Sequence, residues 1–199
     1  MAIASIANLT DSTVAGSNTE IQYNNSGVFG ASSNLTFDGS TLTVTGDISQ
    51  SGNYTNTALP AFSVGLASAS NVTGDGTIYT VAYDTEVFDQ GSDFNTSTYL
   101  FTAPVTGKYQ LNATVLASGI NSGAGHATVE VTIVTSNRWY GTAIQAGASV
   151  PAAGGNISAL ADMDAADTAY VFFKVDGGTK TVSIAYGVVY TFFTGHLVC

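Results

Sequence analysis

From Ala61 to the last residues the chain is a succession of short apolar segments, and this pattern constrains its fold more than any other feature. The segments are AFSVGL (61–66), TIYTVAY (77–83), STYLFTA (97–103), KYQLNATVLAS (108–118), ATVEVTIVT (127–135), RWYGTAI (138–144), NISALAD (156–162), TAYVFFKV (168–175), KTVSIAYGV (180–188) and TFFTGHLV (191–198). In ATVEVTIVT, Val129, Val131 and Ile133 fall on one side of an extended chain, with Glu130 and Thr132 on the other. That two-residue period belongs to a strand with one buried face. Gly, Asn, Asp or Pro punctuates the segments, so the pattern predicts an all-β, ten-stranded antiparallel sandwich or jelly roll. Helices lack raw material: only 9% of the 199 residues are charged, while 45% are hydrophobic, with 10 Tyr and 10 Phe. YVFFKV and YTFF are apolar on both faces, which predicts cover from beyond the partner sheet, at a subunit interface.

The first 59 residues have a different texture, so the chain reads as an N-terminal part, 1–59, and a C-terminal domain, 60–199. IQYNNSGVFGASSNLTFDGSTLTVTG (21–46) carries a single charge, Asp38, among Asn, Ser, Thr and Gly. Leu35 and Phe37 alternate with polar residues, as do Leu42 and Val44, giving two short strands with one apolar face each. Asp38-Gly39 between them is a dipeptide favoured by type I′ hairpin turns. An isolated two-stranded ribbon is marginal in water, and this one has too few large side chains for a core. Its stem-packing residues, Leu35, Phe37, Leu42 and Val44, therefore need cover from a neighbouring domain or from copies of the same segment in other chains, and the scarcity of large side chains favours the copies.

The formal charge of −10 is unevenly placed. Residues 1–107 hold nine acids and no Lys or Arg; the remainder holds five acids and four bases, Lys108, Arg138, Lys174 and Lys180. So few cations cannot displace counterions from a phosphate backbone, which argues against nucleic acid and anionic membrane as partners. The one cysteine, Cys199, excludes an intramolecular disulfide and a Cys-based zinc site. No apolar stretch approaches the ~20 residues that span a bilayer. MAIASIANLTDST lacks the basic and apolar regions of a secretory signal, so synthesis in a cytosol is expected.

Four blocks carry a resemblance: FDQGSDFN (88–95), STYLFTAPVTGKYQL (97–111), DMDAADTAYVFF (162–173) and TFFTGHLV (191–198). Together with Ala61-Phe62 they resemble the C1q/TNF-like jelly-roll module over about 140 residues. The positions that match are Phe62, Phe88, Asn95, Phe101, Ala103, Pro104, Gly107, Tyr109, Asp167, Phe193, Gly195 and Leu197. The resemblance implies core or trimer-packing roles for Phe62, Phe88, Asn95, Phe101, Pro104, Gly107, Tyr109, Phe193 and Gly195, and a homotrimer overall. His196 stands where that family commonly has an aromatic, and no collagen-like Gly-X-Y stalk is present. Independently, Pro104 and Gly107 are suited to a sharp turn between strands. The 21–46 segment resembles one that recurs in virion proteins of tailed bacteriophages, notably tail fibres.

No motif points to catalysis. His126 and His196 lack an HExxH partner or Cys ligands, and neither a GxSxG elbow nor a Walker A loop occurs. Asp162, Asp164 and Asp167 offer oxygens of the kind calcium prefers, without EF-hand spacing. Asp84, Glu86, Asp89 and Asp93 form a second acidic run. A solvated loop is the plainer reading of both. Trp139 and Tyr140 beside Arg138 are residue types that anchor interfaces or stack on sugars, and burial of Trp139 is as compatible with the sequence.

The expectation is a non-enzymatic virion surface protein without cofactor: a trimeric capsid decoration (cement) protein or short head fibre. Its N-terminal part would bind the major capsid protein or another virion protein. The alternative is a tail-fibre or receptor-binding protein whose head recognises a host glycan or protein.

Overall fold

The computed structural model describes residues 14–147, 152–178 and 181–199; the opening MAIASIANLTDST and Lys180 lie outside the described residues. The chain separates into two compact units, Met1–Thr55 and Asn56–Cys199.

The N-terminal unit is two small hairpins. The first joins β1 (Tyr23–Asn25) to β2 (Val28–Gly30) through Ser26-Gly27. Both connecting residues have positive φ, 56° and 93°, as a type I′ turn requires, and Asn24 Oδ1 accepts a hydrogen bond from Gly27 N–H. The second joins β3 (Leu35–Phe37) to β4 (Leu42–Val44), with Leu35 opposite Val44 and Phe37 opposite Leu42. The expected ribbon is therefore present, but the type I′ turn expected at Asp38-Gly39 is not. Only Gly39 has positive φ, and the connection is four residues long, closed by Asp38 Oδ1 accepting from the N–H groups of Ser40 and Thr41. An Asp side chain that captures backbone donors two and three residues on substitutes for the tighter turn. Those hydrogen bonds hold the Asp38 carboxyl below its ordinary range. Residues 19–21 run beside β3, with Ile21 N–H donating to Leu35 O. Leu35 is half-buried, Phe37, Leu42 and Val44 are exposed, and no described residue of this unit is buried.

The larger unit is a sandwich of antiparallel strands: β5 (Ala61–Gly65), β6 (Ser70–Thr73), β7 (Ile78–Thr80), β8 (Thr85–Gln90), β9 (Phe94–Asn95), β10 (Leu100–Thr102), β11 (Gly107–Ser118), β12 (Thr128–Thr135), β13 (Trp139–Gln145), β14 (Ala152–Met163), β15 (Thr168–Asp176), β16 (Thr181–Ile184) and β17 (Phe192–Leu197). All ten expected segments contain a strand; β6, β8 and β9 are additional. The seven-stranded sheet runs β6-β16-β11-β17-β5-β8, with β14 along the other edge of β11. The six-stranded sheet runs β13-β12-β15-β10-β9, with β7 on β15. Sequence-distant strands meet in both sheets, as when β17 inserts between β11 and β5, and these crossovers make the sandwich a jelly roll.

The core lies between the sheets and is aromatic at one end. Phe62 stacks on Phe101 at 4.7 Å and on Phe94 at 5.3 Å, and meets Phe193 edge-on at 5.0 Å. Tyr109 packs against Phe101, and its hydroxyl donates to Val105 O at 2.8 Å. Burial pushes the Tyr109 and Tyr83 hydroxyls up from their ordinary range.

At one of the two segments apolar on both faces, the chain supplies part of the expected cover itself. Phe172 on β15 points away from the core, yet it is only 2% exposed without any second subunit, because Trp139 lies against it edge-on at 5.6 Å. Trp139, itself 64% exposed, gives that cover to Phe172 alone. Phe192 on β17 also points outward and is half-buried.

Candidate functional site

The acidic turn DMDAAD joins β14 to β15 at the end of the sandwich where the chain enters at Ala61. A hollow of about 150 Å³ opens there, lined by Thr106, Gly107, Lys108, Asn137, Asp162, Met163 and Asp164. Of the three acids proposed for calcium, Asp162 and Asp167 are committed to separate work, and Asp164 Oδ1 accepts only a long bond of 3.5 Å from Thr106 Oγ1. Asp162 takes the Arg138 guanidinium, Nη2 lying 2.9 Å from Oδ1 and 3.0 Å from Oδ2. Asp167 Oδ2 accepts from Asn137 Nδ2 and from Asp164 N–H, both at 2.9 Å. Thr106 Oγ1 accepts from Ala165 N–H at 3.1 Å. Among the described residues no three His, Cys, Asp or Glu side chains assemble to hold a metal. The arrangement locks a turn and ties β13 to β14.

The second acidic run is spent similarly. Asp84 Oδ1 accepts from Ala67 N–H, while Asp89 accepts from the N–H groups of Asp93 and Phe94. Burial, aided by the Asp89 charge, pushes the Asp93 carboxyl up. Neither hydrogen-bond set pairs a nucleophile with a base.

The positions carried over from the family divide cleanly. Phe62, Phe101, Tyr109 and Phe193 are buried in the aromatic core, and Gly195 sits under the Phe62 ring. Gly107 lies against Leu197 and the Cys199 carbonyl, and Pro104 is exposed in the turn before β11. Phe88 and Asn95 are not core residues. Phe88 is 52% exposed because it pairs with Ser63, whose neighbours Phe62 and Val64 take the inward positions. Asn95 is exposed, its Oδ1 accepting from the N–H groups of Ser97 and Thr98. Phe94, one residue earlier, is the buried member; the apolar Phe94 between polar Asp93 and Asn95 was the available signal.

The surface with the clearest capacity for association is the outer face of the seven-stranded sheet. Even-numbered residues of β11, β14 and β17 point outward there, aligned by the registers Gln110–Leu160, Asn112–Ser158 and Asn112–Thr194. Beyond the Lys108–Asp162 row, no Asp, Glu, Lys or Arg points outward from these three strands. Leu160 is 57% exposed, and Phe88 lies across the same sheet on β8. Sequence periodicity gave the inward set of these strands, but not that their outward sets meet in one uncharged surface.

No protein-family model matches the chain, and no curated protein matches it in sequence. Solved structures do match in fold. Murine APRIL crystallised at pH 5.0 is similar with a TM-score of 0.53 at 11% identity, over 70% of this chain and 99% of that one. The globular domain of zebrafish complement 1qA protein is similar with a TM-score of 0.49 at 19% identity, over 71% of this chain and 98% of that one. The likeness is one of fold alone: the Asn56–Cys199 unit is a jelly-roll sandwich of the kind seen in murine APRIL.

Proposed function

We propose that the chain is a non-enzymatic structural protein of a tailed-bacteriophage virion, acting as a homotrimeric capsid decoration protein or short head fibre on the particle surface. The observation that carries this reading is an N-terminal unit with no buried described residue, in a segment that resembles phage fibre sequences. Such a unit gains apolar cover from other chains, and an interface between capsid subunits supplies the area. The jelly roll supplies the trimer. In a chain of net charge −10, copies repel wherever acids face each other, and the uncharged outer face of β11, β14 and β17 is where they meet at least cost. No cofactor takes part.

Imaging of intact particles with the labelled protein tests the location: density on the head supports decoration, and density confined to the tail defeats it. Light scattering at micromolar concentration tests the trimer, and a stable monomer would remove it. Leu160→Asp, which puts a charge into the uncharged face, is expected to yield monomers.

A second reading, receptor binding by the head, is favoured by Trp139, which is 64% exposed. Purified protein that competes with phage for host cells would support it; a pure decoration protein does not compete.

A further inference from the structure

At the end of the head opposite Ala61, three backbone segments converge on one imidazole. His126 precedes β12 and is 2% exposed. Its Nδ1 accepts a hydrogen bond from Asn121 N–H at 3.0 Å, which closes the 119–127 loop around a short 3₁₀ turn, Ser122–Ala124. A ring nitrogen that accepts carries no hydrogen, so the neutral ring holds its proton on Nε2. Nε2 is buried without a hydrogen-bond partner among the described residues and abuts Gly74, where a side chain has no room. Gly74 O in turn accepts from Gly178 N–H at 2.8 Å, and Ala127 N–H donates to Asp176 O at 2.7 Å. Loops 72–76, 119–127 and 176–178 therefore share one neutral plug.

We propose that His126 is an acid-operated latch: a proton taken up on Nδ1 breaks the Asn121 bond and frees the 119–127 and 72–76 loops from each other. The two states are exclusive, because the lone pair that accepts from Asn121 is the one that binds the proton. Among the described residues the resulting imidazolium has no counter-charge in contact. Asp75, on the 72–76 side, is held by Thr73 Oγ1 and Thr77 N–H. Asp176, at the end of β15, is held by Thr128 and Lys174, and Glu130 stands beyond Lys174. Tyr79 bonds Thr73 through its hydroxyl. Residues 119–125 and 146–147 bring no titratable side chain. No ion pair joins any described residue to the ring.

The test is hydrogen exchange on the full chain across a pH series, corrected for intrinsic rates, alongside an NMR titration of its two imidazoles. Protection in 119–127 and 72–76 is expected to fall about tenfold as the His126 ring titrates, the order expected for losing a buried hydrogen bond. Protection in β11 and β17 stays constant. H126Q keeps an oxygen to accept from Asn121 but takes up no proton, and its loops are expected to hold. Unchanged loop protection through the imidazole titration, or equal loss in H126Q, would overturn the latch. If H126Q does not fold, the wild-type midpoints decide: coincidence supports the latch, and separation of the two overturns it.

Discussion

The Phe62 ring fills the place that a side chain on Gly195 would need. A Cβ on Gly195 would lie 2.5 Å from Phe62 Cε1 and 2.8 Å from Leu111 Cδ2. Both partners sit in the closed core, where shifting a ring disturbs Phe101, Phe94 and Phe193 as well. Gly195→Ala is therefore expected to destabilise the head by about 2 kcal/mol, the usual scale of overpacking. Urea unfolding reads this as a lower midpoint at unchanged slope.

Trp139→Ala uncovers Phe172. The loss of the edge-on contact and of apolar cover is expected to cost about 1–3 kcal/mol, against near zero if the indole served only as an exposed contact. Thermal unfolding followed by circular dichroism checks it, since the chain's only Trp is then absent.

Lys174 and Asp176 give the head a defined pH window. Hydrogen bonding to Lys174 holds the Asp176 carboxyl below its ordinary range, and the same bond pushes the Lys174 ammonium up. A lowered carboxyl contributes stability above its unfolded value and loses it as pH falls through the folded one. A raised ammonium contributes below its unfolded value and loses it as pH rises through the folded one. The pair therefore acts between about pH 4 and pH 10. With the side chains 25% and 38% exposed, solvent limits its worth to about 1 kcal/mol or less. Asp176→Asn is expected to flatten the acid side of the stability profile, measured as urea midpoints from pH 3 to pH 7.

In the N-terminal unit, Leu35, Phe37, Leu42 and Val44 changed together to Ser are expected to abolish attachment to particles while the head stays folded and trimeric. Copy number on purified particles and light scattering of the free protein measure the two halves separately. An unchanged copy number would sink the attachment role.

How far the fold could be read from sequence depended on burial. Val129, Val131 and Ile133 announced β12 because its inner face is dry and its outer face includes Glu130 and Lys174 nearby. β6 and β9 are short and carry few apolar residues, so periodicity passed over them. β8 failed for another reason: Phe88 pairs with the outward Ser63, and a register shift between Ser63 and Val64 breaks the strand's two-residue alternation. Turn type was misplaced because the Asp38 carboxylate holds a four-residue connection with positive φ at Gly39 alone, whereas Ser26 and Gly27 both take positive φ. The acidic turn was visible as charge, but its role depended on Arg138 and Asn137, more than 20 residues away. His126 was visible only as a residue without a motif; its enclosure by Gly74 and Asn121 is a property of three loops meeting.

The N-terminal unit, with every described residue at least partly open to water, has a temporal consequence. A segment with no interior of its own cannot finish folding ahead of its surroundings. Limited proteolysis of the free protein is therefore expected to cut this segment before the larger unit. If a particle surface encloses the segment, as proposed above, attachment should also slow that cleavage.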